Sequence, residues 1–295
     1  MAVGITNDTF HETPYITIAE YKNAPTSIDF DNLVVGGNAS AQNAELDNVI
    51  RRASSFMDEY LNANLNATQY VETQRTRITP EGFLAIHPHN SPIISLSSLE
   101  YGATPNSLNT LSDCSQTWFE EQQMIIPLSN MAVSYSSQGP LAFGGYGASG
   151  QQIYAKYTYI AGYVNNAIAS ATAAATSLTV QDATGIVAGQ KLRIYDGASS
   201  ENVTVNSTYT YGSTTVPLTS ALAYTHTSGV IISNLPNAVK QACILITTAF
   251  LRVRGDSSMT MSVTTFPQAN IDGVNRYGNE IQLALNSIDA YRRIR

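Results

Sequence analysis

His87-Pro88-His89-Asn90 sets two imidazoles around a proline, and it is the only histidine pair in the chain. Two histidines could ligate a cation, but a closed metal site wants further donors at a familiar spacing, and none of suitable type follows. The segment reads as a polar turn ahead of the strand that Pro92 opens. His11 and His226 stand in unrelated loop contexts and read the same way. Gly144-Gly145-Tyr146-Gly147-Ala148-Ser149-Gly150 has the glycine density of a phosphate loop. It lacks the Gly-Lys-Ser/Thr ending and does not join a strand to a helix, so a hairpin tip is the expectation. Glu120-Glu121, after Trp118-Phe119, offers paired carboxylates for acid–base work. Neighbours on a strand point to opposite faces and could not easily share one site, so a turn is expected. Asp29, Asp31 and Asn32 lack calcium-loop spacing, and no Gly-x-Ser-x-Gly elbow occurs. The sequence therefore predicts no enzyme, with no catalytic, cofactor-binding or metal-binding residue and no cofactor.

Composition agrees with that direction. Of 295 residues, 43% are hydrophobic, enough for a real core, while only 13% are charged. The net charge is -7 and the pI is near 5.0. Neutral polar residues must carry solubility, and such a surface repels like copies weakly. The acidity argues against a nucleic-acid-gripping protein. No run of eighteen apolar residues suggests a membrane helix, and the N-terminal residues do not read as a signal peptide. Cys114 and Cys243 are the two cysteines, and Cys243 reads as a small buried hydrophobe. The seventeen tyrosines are the unusual count. Tyr154, Tyr157, Tyr159 and Tyr163 gather near one strand, where they suit either a strand core or a subunit interface.

The positioning elements follow from periodicity. Residues 1–16 look like an extended arm, and Thr17-Ile18-Ala19-Glu20 is a capping box opening a short helix. Leu46, Val49, Ile50, Ala53, Met57 and Leu61 keep helical spacing, which predicts a helix over 41–61. Strand patterns fill 67–163, including 93–101, 131–135 and 153–160. Residues 165–177 read as a linker into a compact β module, a small sandwich or barrel at about 168–233. Strands are expected near 178–180, 191–195, 202–205, 214–218 and 229–233. Strand 157–163 and helix 235–250 read as one host unit into which this module is spliced. The expected organisation is a discontinuous domain, 1–163 with 235–295, and an inserted β domain. Val239, Cys243, Ile246, Phe250 and Val253 stripe an apolar helix. A long loop at 256–277 and a last helix over 279–293 close the chain. The fold class is thus α+β.

Four pieces in order, with the ending, resemble the head–tail connector (adaptor) proteins of tailed bacteriophages. They are Thr17-Ile18-Ala19-Glu20-Tyr21-Lys22, the helix 45–61, the strand pair 92–101 and 157–163, and the helix 235–250. The ending Asp289-Ala290-Tyr291-Arg292-Arg293 is similar to the family's own. The 168–233 module and the long β section depart from the family pattern, so no role is carried over for them.

The resemblance implies a virion protein of the neck, between capsid and tail, assembled in the host cytoplasm. It implies a homo-oligomeric ring, typically of twelve copies, beneath the portal protein. The ring extends a channel through which genomic DNA passes without sequence-specific binding, and it offers a platform for a stopper or tail-terminator protein. It also implies portal docking through the C-terminal segment, here Tyr291, Arg292, Arg293 and Arg295. The 256–277 loop would order only on assembly. The alternative is another tail or baseplate structural protein whose β module binds carbohydrate or a partner, with Tyr195, Tyr209, Tyr211 and Tyr224 as the candidate aromatics.

Overall fold

The computed structural model describes residues 13–26, 28–29, 33–79, 83–111, 113–120, 122–127, 152–253 and 272–292. The expected strand at 131–135, the glycine-rich loop at 143–150, His11, Arg293 and Arg295 lie outside these residues. So do most of the arm at 1–16 and most of the 256–277 stretch. Helices and antiparallel sheets make the chain α+β. It divides into two compact units: Ala67–Tyr163, and the described residues of Thr9–Asn66 with Val164–Arg295.

The first unit is one antiparallel sheet. Its strands are β1 (Thr68–Ile78), β2 (Phe83–Ile86), β3 (Ile93–Thr104), β4 (Ser107–Thr110), β5 (Trp118–Glu120), β6 (Gln123–Pro127) and β7 (Gln152–Ala161). They lie in the order β4-β3-β7-β1-β2-β6-β5. Side chains alternate between faces, so Tyr70, Glu72, Ile78, Leu99, Tyr101, Ile153, Ala155, Tyr157 and Tyr159 all go inward. Trp118 and Phe119 stay partly exposed on β5, where the Trp118 ring meets Phe83 edge-on at 5.1 Å. Gly102 lets β3 turn tightly into β4: a Cβ there would stand 2.2 Å from the Ser107 carbonyl oxygen.

The second unit holds α1 (Ile18–Asn23), α2 (Ala39–Leu61), α3 (Asn237–Val253) and α4 (Asp272–Ile288). The expected capping box starts α1, with Glu20 N–H donating to Thr17 Oγ1 at 3.1 Å and Thr17 N–H to Glu20 Oε2 at 2.8 Å. Asn38 caps α2 through Ala41 N–H, and Asn62 ends it in the left-handed conformation, φ 54°. Leu46, Val49, Ile50, Ala53 and Met57 of α2 and Val239, Ala242, Cys243 and Ile246 of α3 are all buried. Each large aliphatic side chain so buried contributes roughly 1.5–3 kcal/mol. α3 packs on α2 and on α4, which buries Ala284 and Ile288. α4 begins well before residue 279, where periodicity put the start of the last helix. A short 3-10 turn over Asp289–Tyr291 follows α4.

The β module belongs to this unit and has its own apolar core, from Val164 and Ile168 to Leu222 and Ile232. Its strands are β8 (Asn165–Ser170), β9 (Ser177–Val180), β10 (Lys191–Tyr195), β11 (Glu201–Thr204), β12 (Thr215–Pro217) and β13 (Ile231–Ser233). They run β11-β10-β13-β8-β9-β12. A bridge between Val205 and Leu218, with Asn206 N–H donating to Pro217 O at 2.9 Å, joins the two edges. The module is therefore a closed barrel. β8 corrects the expected linker. Its small side chains carry little β propensity, yet Asn165–Ala167 pairs with β13, Ile168 is fully buried and β9 flanks the other side. Where the barrel leaves and rejoins the chain, Val164 N–H donates to Asn234 Oδ1 at 2.6 Å and Asn234 N–H to Val164 O at 3.1 Å.

Candidate functional site

The end of α4 fixes the first part of the C-terminal segment. Tyr60, near the end of α2, donates its hydroxyl to Asp289 Oδ1 at 2.8 Å, and that bond pushes the phenol above its ordinary pKa. The Arg292 guanidinium lies 5.0 Å from the Tyr60 ring centroid and 3.9 Å from Asp289. Arg292 is thus seated on α2 while its side chain remains half-exposed. Tyr291 is half-buried beside it. A cation at a helix C-terminus is favoured by the helix dipole and offers charge to an acidic partner. Farther back along α4, Arg252 of α3 pairs with Glu280 at 2.5 Å.

The tyrosines of β7 divide by strand parity, and Tyr163 lies beyond the end of that strand. Tyr157 and Tyr159 are core residues, and their hydroxyls donate to the buried Glu72 of β1 at 2.8 and 2.5 Å. His89 adds its backbone N–H at 3.1 Å and Nδ1 at 2.9 Å. A carboxylate only accepts, so Nδ1 carries the proton. Burial pushes the Glu72 carboxyl up, but the bonds from Tyr159, His89 and Tyr157 outweigh it and hold the group below the usual range. Both phenols move the other way, driven up by burial and by the adjacent carboxylate. Tyr154 lies on the opposite face, 5.9 Å under the Arg75 guanidinium, and is half-buried, as is Tyr163. An interface could use Tyr154 and Tyr163, whereas Tyr157 and Tyr159 have no surface to offer one.

Two polar features of the second unit escape sequence reasoning. Lys240, on the apolar helix α3, is buried against Glu20 Oε1 at 2.6 Å, with the Tyr195 ring centroid 3.8 Å away. Burial pushes its ammonium below the ordinary lysine pKa, and Glu20 opposes that shift. His226 is the other: its side chain is fully buried between Asp196 and Glu201. The one hint in sequence is that both residues interrupt otherwise polar-neutral or apolar runs. Of the module's aromatics, Tyr209 is buried and Tyr195 is half-buried, while Tyr211 and Tyr224 are exposed.

Among the described residues no group of three or more His, Cys, Asp or Glu is arranged to hold a metal ion. Nor is any helix among them long and apolar enough to cross a membrane. No family model matches the chain, and no curated protein does. Among solved structures, one described as "Neck of empty GTA particle computed with C6 symmetry" is similar to this chain. The likeness covers 95% of this chain and 94% of that one, at 12% identity and a TM-score of 0.34.

Proposed function

We propose that the chain is a structural subunit of a phage-like particle neck. Copies close into an adaptor ring beneath a portal, prolong the DNA channel and present a platform to a stopper or tail protein. One observation carries this reading: the connector-like helical segments, far apart in sequence, build a single helical body. Tyr21 Oη lies 2.9 Å from Thr248 Oγ1, and Phe56 meets Phe250 edge-on at 5.8 Å. Glu20 grips Lys240, and Tyr60 holds Asp289. The strand pair of the resemblance, β3 and β7, is also adjacent and antiparallel. Segments that follow one another in chain order need not meet in space, and these do.

The mechanism is geometric. A subunit with two different side surfaces joins head to tail, and the rotation closes a ring. Tyr154 and Tyr163 are the proposed interface tyrosines, and Tyr291, Arg292, Arg293 and Arg295 the proposed portal-docking handle. We further read 168–233 as an insertion, which the hydrogen-bonded pair Val164 and Asn234 supports. A module that departs and returns at neighbouring points burdens its host little.

The test is negative-stain imaging and pull-down of the protein mixed with a portal ring. Full-length protein is expected to load as a second ring. A chain lacking 289–295 is expected to keep its circular dichroism and lose loading. Normal loading by the truncated chain removes the docking assignment, and no ring at all removes the neck reading.

A second reading has one observation in its favour, the exposed rings of Tyr211 and Tyr224 on the barrel. These could stack on sugar rings in a tail or baseplate component. A glycan array on the full chain, with both tyrosines changed to alanine as control, separates the two readings.

A further inference from the structure

An imidazole has two ring nitrogens, and a carboxylate offers only acceptors. In the barrel, His226 Nδ1 lies 2.9 Å from Asp196 Oδ2, and Nε2 lies 2.9 Å from Glu201 Oε1. A neutral ring has one N–H, so one of its lone pairs would face a carboxylate oxygen. Both contacts are hydrogen bonds if the ring carries both protons, or if one carboxyl is itself protonated. The surroundings favour the charged ring. Glu201 already accepts Ala223 N–H at 2.9 Å and Tyr224 N–H at 3.1 Å. Burial pushes the Glu201 carboxyl up, but those backbone donors and His226 together hold it below the usual carboxylate range. Asp196 is one-third exposed and solvated on that side.

The three residues come from separate pieces of the barrel. Asp196 directly follows β10 and opens the turn at 196–200, Glu201 opens β11, and His226 sits in the loop before β13. The backbone N–H of His226 also donates to Ala171 O at 2.9 Å, just past β8. Among the described residues, the charged groups facing the ring are Asp196 from the β10 turn and Glu201 from β11. Backbone meets this cluster at Ala171 O and at the Ala223 and Tyr224 N–H groups, while the neighbouring Thr225 hydroxyl accepts Ala173 N–H at 3.0 Å.

We propose that Asp196, His226 and Glu201 form a proton-dependent clasp that holds the 222–226 loop, and with it the exposed Tyr224, against the barrel. Glu201 is the hinge of this device, because one carboxylate grips both the imidazolium and the two loop amides. The clasp is closed when the ring has two protons and the carboxylates none. A ring with a single N–H would turn one of the two attractions into lone-pair repulsion. Lowering the pH through the depressed range of Glu201 neutralises that carboxylate and releases the loop amides. The loop is therefore held most tightly while the ring keeps both protons and Glu201 keeps its charge.

The experiment is done on the full-length protein. Nitrogen–proton correlation spectra of the imidazoles at about pH 6 should show one histidine protonated on both ring nitrogens, with slowly exchanging protons because it is buried. His226→Gln should remove that signal and assign it. Amide exchange protection at Ala223 and Tyr224 should then fall by about tenfold or more as the pH is raised, in step with loss of the second ring proton. The amide of Ile232, in the β10–β13 ladder, should keep its protection. His226→Gln should flatten the pH dependence at the two loop amides. A ring with a single N–H at pH 6, or loop protection that ignores the ring's titration in the wild-type protein, overturns the clasp.

Discussion

Lys240 Nζ and Glu20 Oε1 stand 2.6 Å apart across 220 residues of sequence, and both side chains are largely buried. Glu20 Oε2 meanwhile accepts Thr17 N–H at 2.8 Å, so one carboxylate both caps α1 and neutralises α3. Removing one member of a buried pair strands the other, a loss of roughly 3–5 kcal/mol. Glu20→Gln is therefore expected to destabilise the protein by about that much. Lys240→Met should lose less, because Glu20 keeps its bond from Thr17 N–H. Chemical denaturation of both variants checks this, and equal losses would contradict it.

Glu72 gives a pH prediction. Its folded pKa lies below the ordinary carboxylate value near ~4.3, so the network contributes stability above that pH. The contribution is lost as pH falls through the depressed folded value. Thermal melts from about pH 6 down to about pH 3 should show this acid limb, and Glu72→Gln should make it shallower. Tyr159→Phe removes one donor to a buried carboxylate and is expected to cost about 1–3 kcal/mol at neutral pH.

Cysteine labelling separates the two thiols. Cys243 is fully buried between α2 and α3, and burial pushes its thiol up to about 12. Cys114 is half-buried, and burial raises its thiol too. Thiolate is the reactive form, so Cys243 should resist iodoacetamide until the protein unfolds, while Cys114 reacts slowly in the native state. Mass spectrometry of partly labelled protein reads the order directly. Native-state labelling of Cys243 ahead of Cys114 would contradict the burial.

Excising 165–233 and closing the gap with a short glycine link should leave the helices folded. Val164 and Asn234 already touch, so the bypass spans almost no distance. The excised chain loses the Tyr195 ring over Lys240 and the bond from Asn165 to Pro14 O, so its melting temperature should drop. The helical circular dichroism should persist. Loss of helical signal would show that the barrel is part of the helical body's own core.

Much of this was legible in the sequence where local physics decides. The capping box at Thr17 and Glu20, the stripe of Leu46, Val49, Ile50 and Ala53, and the barrel strand at Lys191–Tyr195 all follow from spacing alone. Residues 165–170 were not legible, since Asn-Asn-Ala-Ile-Ala-Ser becomes a strand only because β13 and β9 flank it. The start of α4 was hidden by glycine at Gly273 and Gly278, which lower helix propensity while α3 packing stabilises the helix. The roles of Glu72 and His226 depend on partners 17 to 87 residues distant for the one and 25 to 30 for the other, which no window of sequence contains.

The Val205–Leu218 bridge has a consequence for how neighbours can use the barrel. A rolled-up sheet has spent its lateral amides and carbonyls on itself, so a passing strand finds nothing to zip onto. Any copy or partner that touches this lobe must do so through side chains and loop tips. Its outer residues are then free to change without offering an edge to which another strand could add.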